Sequence, residues 1–159
     1  MINKSHEIEY RKLYNKLKSH PINKWITDKG WQWFPHQVQI LKSIEKNNSI
    51  LVQSPTGTGK TLTGFLPSLL KFNYQRKKPT LDTLYVSPLK ALTIDIHRNI
   101  SIPIKELNLS INLETRTGDT SQNVKSRQIK NPPDFLMTTP ESLPLTLHSI
   151  SGKDFEMSS

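Results

Sequence analysis

The stretch Ser54-Pro55-Thr56-Gly57-Thr58-Gly59-Lys60-Thr61, SPTGTGKT, decides how the rest of the 159-residue chain is read. It ends in Gly-Lys-Thr, as a phosphate-binding loop does. Ser54, however, stands where the usual G-x-x-x-x-G-K-[ST] pattern has its first glycine. The preceding run SILVQS (49–54) is apolar and β-prone, and KTLTGFLPSLLKF (60–72) reads as an apolar helix with an internal Pro67. A phosphate loop requires that strand-to-helix context. Gly57 and Gly59 let the backbone turn successive N–H groups onto phosphate oxygens, and the new helix adds its positive end. Lys60 is then placed to reach the terminal phosphates, and the Thr61 hydroxyl to hold Mg²⁺. The bland alternative, a glycine-rich turn with a surface lysine, leaves the flanking strand and helix unexplained.

Outward from the loop, strand-like and helix-like segments alternate. TLYVS (83–87), SINLETR (110–116) and DFLMTT (134–139) read as strands. FPHQVQILKSIEKNN (34–48), LKALTIDIHRNI (89–100) and TSQNVKSRQIK (120–130) read as helices, and PESLPLTLHS (140–149) opens a last one. Residues 5–18 carry a modest helical pattern that Pro21 is expected to end. Asn47-Asn48 should stop the helix before the loop, and NYQRKKP (73–79) is a basic solvated loop. This order implies an α/β domain with a mostly parallel sheet, whose binding loops lie at the carboxyl ends of the strands.

Composition bounds the function. There is no cysteine, which excludes disulfides, thiolate zinc sites and cysteine nucleophiles. A formal net charge of +9 favours a polyanionic partner. No run is long and apolar enough to span a membrane, and the N-terminus has no apolar signal core, so a cytoplasmic setting is expected.

Further motifs follow in order. FPHQ (34–37) precedes the loop and resembles the Q motif of superfamily 2 helicases, which implies that Gln37 reads the adenine edge with its amide. Trp31 or Phe34 is available to pack on the base, or to serve as core. SPLKALTID (87–95) presents Pro88, Lys90 and a helix start to a phosphate. RTGDT (116–120) offers Arg116 as a phosphate contact and Gly118 for a tight turn. TTPESL (138–143) places Thr139 as a helix cap, Pro140 at the first helical position and Glu141 in the first turn. Taken alone, each is also an ordinary turn or cap.

Together these stretches resemble superfamily 2 DEAD/DEXH-box helicases. A small residue at Ser54 before the T-G-T-G-K-T core (Thr56–Thr61) fits that family, FPHQ resembles its Q motif, and the other three resemble motifs Ia, Ib and Ic. KGWQWFPHQ, SPLKALTIDI, ELNLSINLETRTGDTSQ and NPPDFLMTTPESLPLTL are similar to the start of large helicase-related proteins, in particular the bacterial ligase-associated DEXH-box DNA helicase. The resemblance covers roughly residues 24–150. It implies a RecA-like P-loop NTPase domain over 24–150, after a basic helical segment (1–23) and before an unstructured tail (151–159). It implies ATP and Mg²⁺ held by Gln37, by Ser54, Pro55, Thr56, Gly57, Thr58 and Gly59, and by Lys60 and Thr61. Lys60 and Thr61 carry the catalytic role, with Thr61 as the metal ligand. It further implies nucleic acid held by Pro88, Lys90, Arg116, Gly118, Thr139, Pro140 and Glu141. The partner is single-stranded or duplex DNA, with RNA left open, in a repair setting that could include a DNA ligase or nuclease.

Hydrolysis also needs an acidic residue after a buried strand. No Asp-Glu pair occurs anywhere in the chain, and Asp134 precedes its strand. The chain is therefore expected to be the N-terminal part of a motor domain, incomplete before the DExH strand and unable to turn ATP over alone. Two other classes stay open: a small-molecule P-loop kinase or NTPase, and a non-enzymatic nucleic-acid-binding module.

Overall fold

The computed structural model describes residues 4–45, 49–71, 81–144 and 146–147. The expected stop at Asn47-Asn48, the basic loop 73–79 and the tail 151–159 lie outside these residues. Among the described residues the elements run in the order α1 (Lys4–Ser19), α2 (Pro21–Asp28), α3 (Pro35–Glu45), α4 (Lys60–Lys71), β1 (Thr83–Val86), α5 (Lys90–Glu106), β2 (Leu113–Arg116), α6 (Gln122–Lys130) and β3 (Phe135–Thr138). The chain divides into two compact units. One holds residues 1–73 and 103–109, the other residues 74–102 and 110–159.

The second unit holds the sheet. Its three strands are all parallel in the order β1-β3-β2, with Phe135 level with both Thr83 and Leu113, and Thr138 level with both Val86 and Arg116. FLMT takes the centre because it is apolar on both faces, and all four of its residues are buried. Asp134, 3% exposed, ties the amino ends of the strands together. Its carboxylate accepts the Asn112 N–H at 2.7 Å, and its carbonyl accepts the N–H groups of Asp82 and Thr83 at 2.9 and 3.0 Å. This residue therefore works at the end of the sheet opposite the binding loops. Behind β2, Glu114 accepts both Arg127 guanidinium nitrogens, at 2.8 and 2.7 Å, and the Gln128 amide at 2.9 Å, which fixes α6 on the strand.

The first unit is helical. α1 packs on α2 and α3, and α3 packs on α4. Its core is Leu13, Leu17, Ile22, Ile26, Val38, Leu41, Phe65, Leu66 and Leu69. Pro21 does end the first helix but also opens a second, because proline is preorganised for the first helical position. His20 supplies the cap, its Nδ1 accepting the Ile22 N–H at 3.2 Å.

Two expectations about elements are corrected. Residues 49–54 do not form a strand: they are irregular, and Leu51 is 91% exposed. A strand is held by its neighbours, and none among the described residues pairs with this one. α5 does not end near Ile100 but runs through Pro103 to Glu106. It stops at Asn108, whose φ of +50° makes a left-handed cap. There the N–H groups of Asn108 and Leu109 donate to the carbonyls of Lys105 and Ile104 at 3.0 and 2.9 Å.

Candidate functional site

The glycine loop keeps its expected backbone without its strand. Gly57 and Gly59 sit at φ +80° and +71°, a region other residues rarely adopt. The N–H groups of Thr56, Gly57, Thr58 and Gly59 donate to no acceptor among the described residues. Ser54 is a working part of the turn. The Thr58 hydroxyl donates to the Pro55 carbonyl at 2.8 Å, so the Ser54 hydroxyl, 2.7 Å away, must donate to Thr58. A glycine at 54 could not make this brace. The Lys60 amine folds back on the carbonyls of Ser54 and Pro55 at 2.7 and 2.6 Å. Thr61, second residue of α4, is half-buried. Thr63 fixes the helix start, its N–H and hydroxyl both donating to the Gly59 carbonyl at 2.9 Å.

Gln37 meets this loop. It is 3% exposed, and its Oε1 accepts the Phe34 N–H at 3.0 Å. Its Nε2 lies 2.8 Å from where a Cβ on Gly59 would stand, so side chain and glycine are in mutual van der Waals closure. Trp31 and Phe34 are not core: they are 53% and 41% exposed. Trp31 stands edge-on to Trp25 at 5.6 Å, and Phe34 stacks on His36 at 5.5 Å. The Nε2 of His36 is buried without a partner among the described residues.

In the second unit the other candidates gather at the carboxyl ends of the strands. Pro88 and Lys90 follow β1, Arg116 ends β2, Gly118 follows it, and Thr139, Pro140 and Glu141 follow β3. Arg116 is 5% exposed, and its guanidinium makes no hydrogen bond or ion pair among the described residues. Burial lowers its pKa from the ordinary value, because nothing nearby offsets the charge. Lys90, by contrast, is paired with Asp119.

Two local readings change. Gly118 is not in the left-handed region, and a Cβ there would meet nothing within 4 Å. The turn is instead closed by Thr120, whose N–H donates to the Thr117 carbonyl at 3.1 Å and whose hydroxyl accepts the Thr117 N–H at 2.9 Å. Thr139 caps through its carbonyl, which accepts the N–H groups of Ser142 and Leu143, while its hydroxyl donates to the Glu141 carboxylate at 2.5 Å. That bond lowers the Glu141 pKa. The partners of Asp119 and Asp134 escaped the sequence reading because a single sequence shows neither: Lys90 lies 29 residues from Asp119, and Asn112 lies 22 from Asp134.

Residues 34–156 match the DEAD/DEAH box helicase family. The chain is 38% identical over 157 residues to the ATP-dependent helicase Lhr-Core of Methanocaldococcus jannaschii, covering 90% of this chain and 18% of that protein. The structure resembles that of the Mycobacterium smegmatis helicase Lhr bound to ssDNA and AMP-PNP, with a TM-score of 0.60, 35% identity, and coverage of 85% of this chain and 17% of that one. It also resembles the DUF1998 helicase MrfA bound to DNA and AMPPNP, with a TM-score of 0.66, 26% identity, and coverage of 85% and 19%. The chain thus spans less than a fifth of each of these proteins. The loop at 54–61, the parallel strands and the family match agree, and the chain belongs to the DEAD/DEAH box helicase family, covering part of its RecA-like domain.

Proposed function

We propose that this chain is the ATP-binding and nucleic-acid-binding N-terminal portion of an ATP-dependent DNA helicase. Its partial RecA-like domain occupies residues 24–150. The single observation that carries the nucleotide half is the loop backbone: two positive-φ glycines, four N–H groups without acceptors among the described residues, and a lysine amine held by carbonyls of its own loop. Those residues fit a triphosphate. Lys60 exchanges two carbonyls for phosphate oxygens, a charge-assisted bond of greater strength. Gln37 holds the loop at Gly59 and presents its amide toward an adenine edge, and Phe34 or Trp31 offers an exposed ring for the base. Among the described residues no three His, Asp or Glu side chains gather to hold a metal. Mg²⁺ would therefore ride on the phosphates, with the Thr61 hydroxyl as its protein ligand.

The nucleic-acid half rests on Arg116. Arg116 is 5% exposed as a residue and its guanidinium has no partner among the described residues, so a backbone phosphate at the strand end would give that charge an anion. Pro88, Lys90, Gly118, Thr139, Pro140 and Glu141 form the surrounding loops. The solved relatives bound to ssDNA or DNA support this reading. Coupled hydrolysis and strand translocation belong to a longer protein that also supplies an acidic Mg²⁺ partner, since no Asp-Glu pair occurs in these residues. A repair setting, with a ligase or nuclease as partner, extends the proposal on the family resemblance.

The test is a titration of fluorescein-labelled oligothymidylate into the chain and into Arg116→Met, across salt. The reading expects wild-type binding that weakens with salt, and a loss of about tenfold in the variant. Equal binding by both would remove Arg116 from the site.

A further inference from the structure

Lys90 opens α5 after β1, and Asp119 lies in the turn after β2. Their ion pair therefore clips together the two loops proposed above to meet nucleic acid. Lys90 and Arg116 belong to these loops, and Lys125 of α6 reaches back to them, its amine donating to the Gly118 carbonyl at 3.2 Å. Asp119 is the one carboxylate of the RTGDT turn. It pairs with Lys90, the exposed cation, and leaves Arg116 without a partner among the described residues. Both members of the pair are open to solvent, Lys90 at 50% and Asp119 at 74% of the side chain. An exposed pair of this kind is weak and exchanges readily.

We infer that Asp119 occupies a phosphate subsite at Lys90, and that nucleic acid binds by displacing this carboxylate. This rests on the nucleic-acid reading of the strand-end loops. The chemistry of the exchange is balanced: a phosphodiester and a carboxylate each carry one negative charge and two acceptor oxygens for the same ammonium. The displaced Asp119 is already largely in water, so its release costs little desolvation. Arg116 has no internal competitor, whereas Lys90 is available only after a charge has been moved. Asp119 thereby sets affinity and salt sensitivity without touching the nucleic acid in the bound state.

The experiment compares wild type, Asp119→Asn, Asp119→Ser and Lys90→Ala/Asp119→Asn for binding of fluorescein-labelled oligothymidylate between roughly 50 and 200 mM salt. Thermal unfolding checks that each is folded. Both single substitutions at Asp119 are expected to bind about two- to fivefold more tightly at low salt. Their salt dependence should steepen by about 0.7 in log–log slope, because a Lys90–phosphate contact then forms without breaking an internal pair. The gain should vanish when Lys90 is also removed. Unchanged or weaker binding by both Asp119 variants, or a gain that survives loss of Lys90, overturns the inference while leaving Arg116-dependent binding intact. No binding by wild type at any salt overturns the nucleic-acid reading and this inference with it.

Discussion

The side-chain amide of Gln37 stands 2.8 Å from the position a Cβ on Gly59 would take, closer than real Cβ contacts come. Gly59 also lies at φ +71°. Gly59→Ala therefore meets two penalties, a left-handed backbone and a collision with a 3% exposed side chain. The first alone costs about 1–2 kcal/mol. Nucleotide affinity should fall about tenfold, the loss of one misplaced charge-assisted hydrogen bond. Gln37→Ala removes the colliding atoms, so chemical denaturation of the double variant should show less destabilisation than the sum of the two single changes.

Arg116 separates stability from binding. Its guanidinium has no partner among the described residues, so Arg116→Met should break no hydrogen bond or ion pair and shift stability by about 1 kcal/mol or less. The same change should weaken oligonucleotide binding. A variant that melts earlier while binding normally would show that the guanidinium serves packing.

Glu114 sets a pH window. Hydrogen bonds from Arg127 above all, then Gln128 and Asn112, hold its pKa down to about 2, against an ordinary 4.5. A depressed carboxylate stabilises the fold fully above its unfolded pKa, and that stabilisation is lost as pH falls from 4.5 towards 2. The Arg127 side chain is half exposed, so the effect should be about 1 kcal/mol after solvent screening. Urea unfolding at pH values on either side of this window should show the loss, and Glu114→Gln should flatten it.

Asp134→Ala should destabilise the sheet without touching ligand binding. It leaves the Asn112 N–H without its 2.7 Å acceptor at a part-buried site, a cost of about 1 kcal/mol. Hydrogen exchange at Asn112 should accelerate relative to wild type.

Much of this architecture was legible in the residues, and the failures have physical causes. TLYV and FLMT read as strands because each is a short apolar run and LETR because SINLETR alternates, and all three pair in parallel. SILVQS has the same character, yet strand formation depends on a neighbour that local composition does not reveal. PINKWITD was missed as a helix because Pro21 reads as a stop as readily as a start. Gly118 was read as a conformational requirement, whereas the turn is closed by the hydroxyl and amide of Thr120. The glycine turn at SPTGTGKT was readable because its two positive-φ glycines sit next to the lysine and threonine in the chain itself. The Lys90–Asp119 and Asp134–Asn112 pairings were not, because they join residues the fold alone brings together.

The most direct test of the account is equilibrium titration of a fluorescent ATP analogue with Mg²⁺ into the chain and into Lys60→Ala. The Lys60 amine is exposed and, among the described residues, held by the Ser54 and Pro55 carbonyls alone, so its removal should leave the fold and oligonucleotide binding unchanged. Saturable binding, displaced by unlabelled ATP and weakened about 10- to 100-fold by the substitution, is the predicted result. Equal nucleotide binding by the two proteins would contradict it, leaving SPTGTGKT as a polar turn.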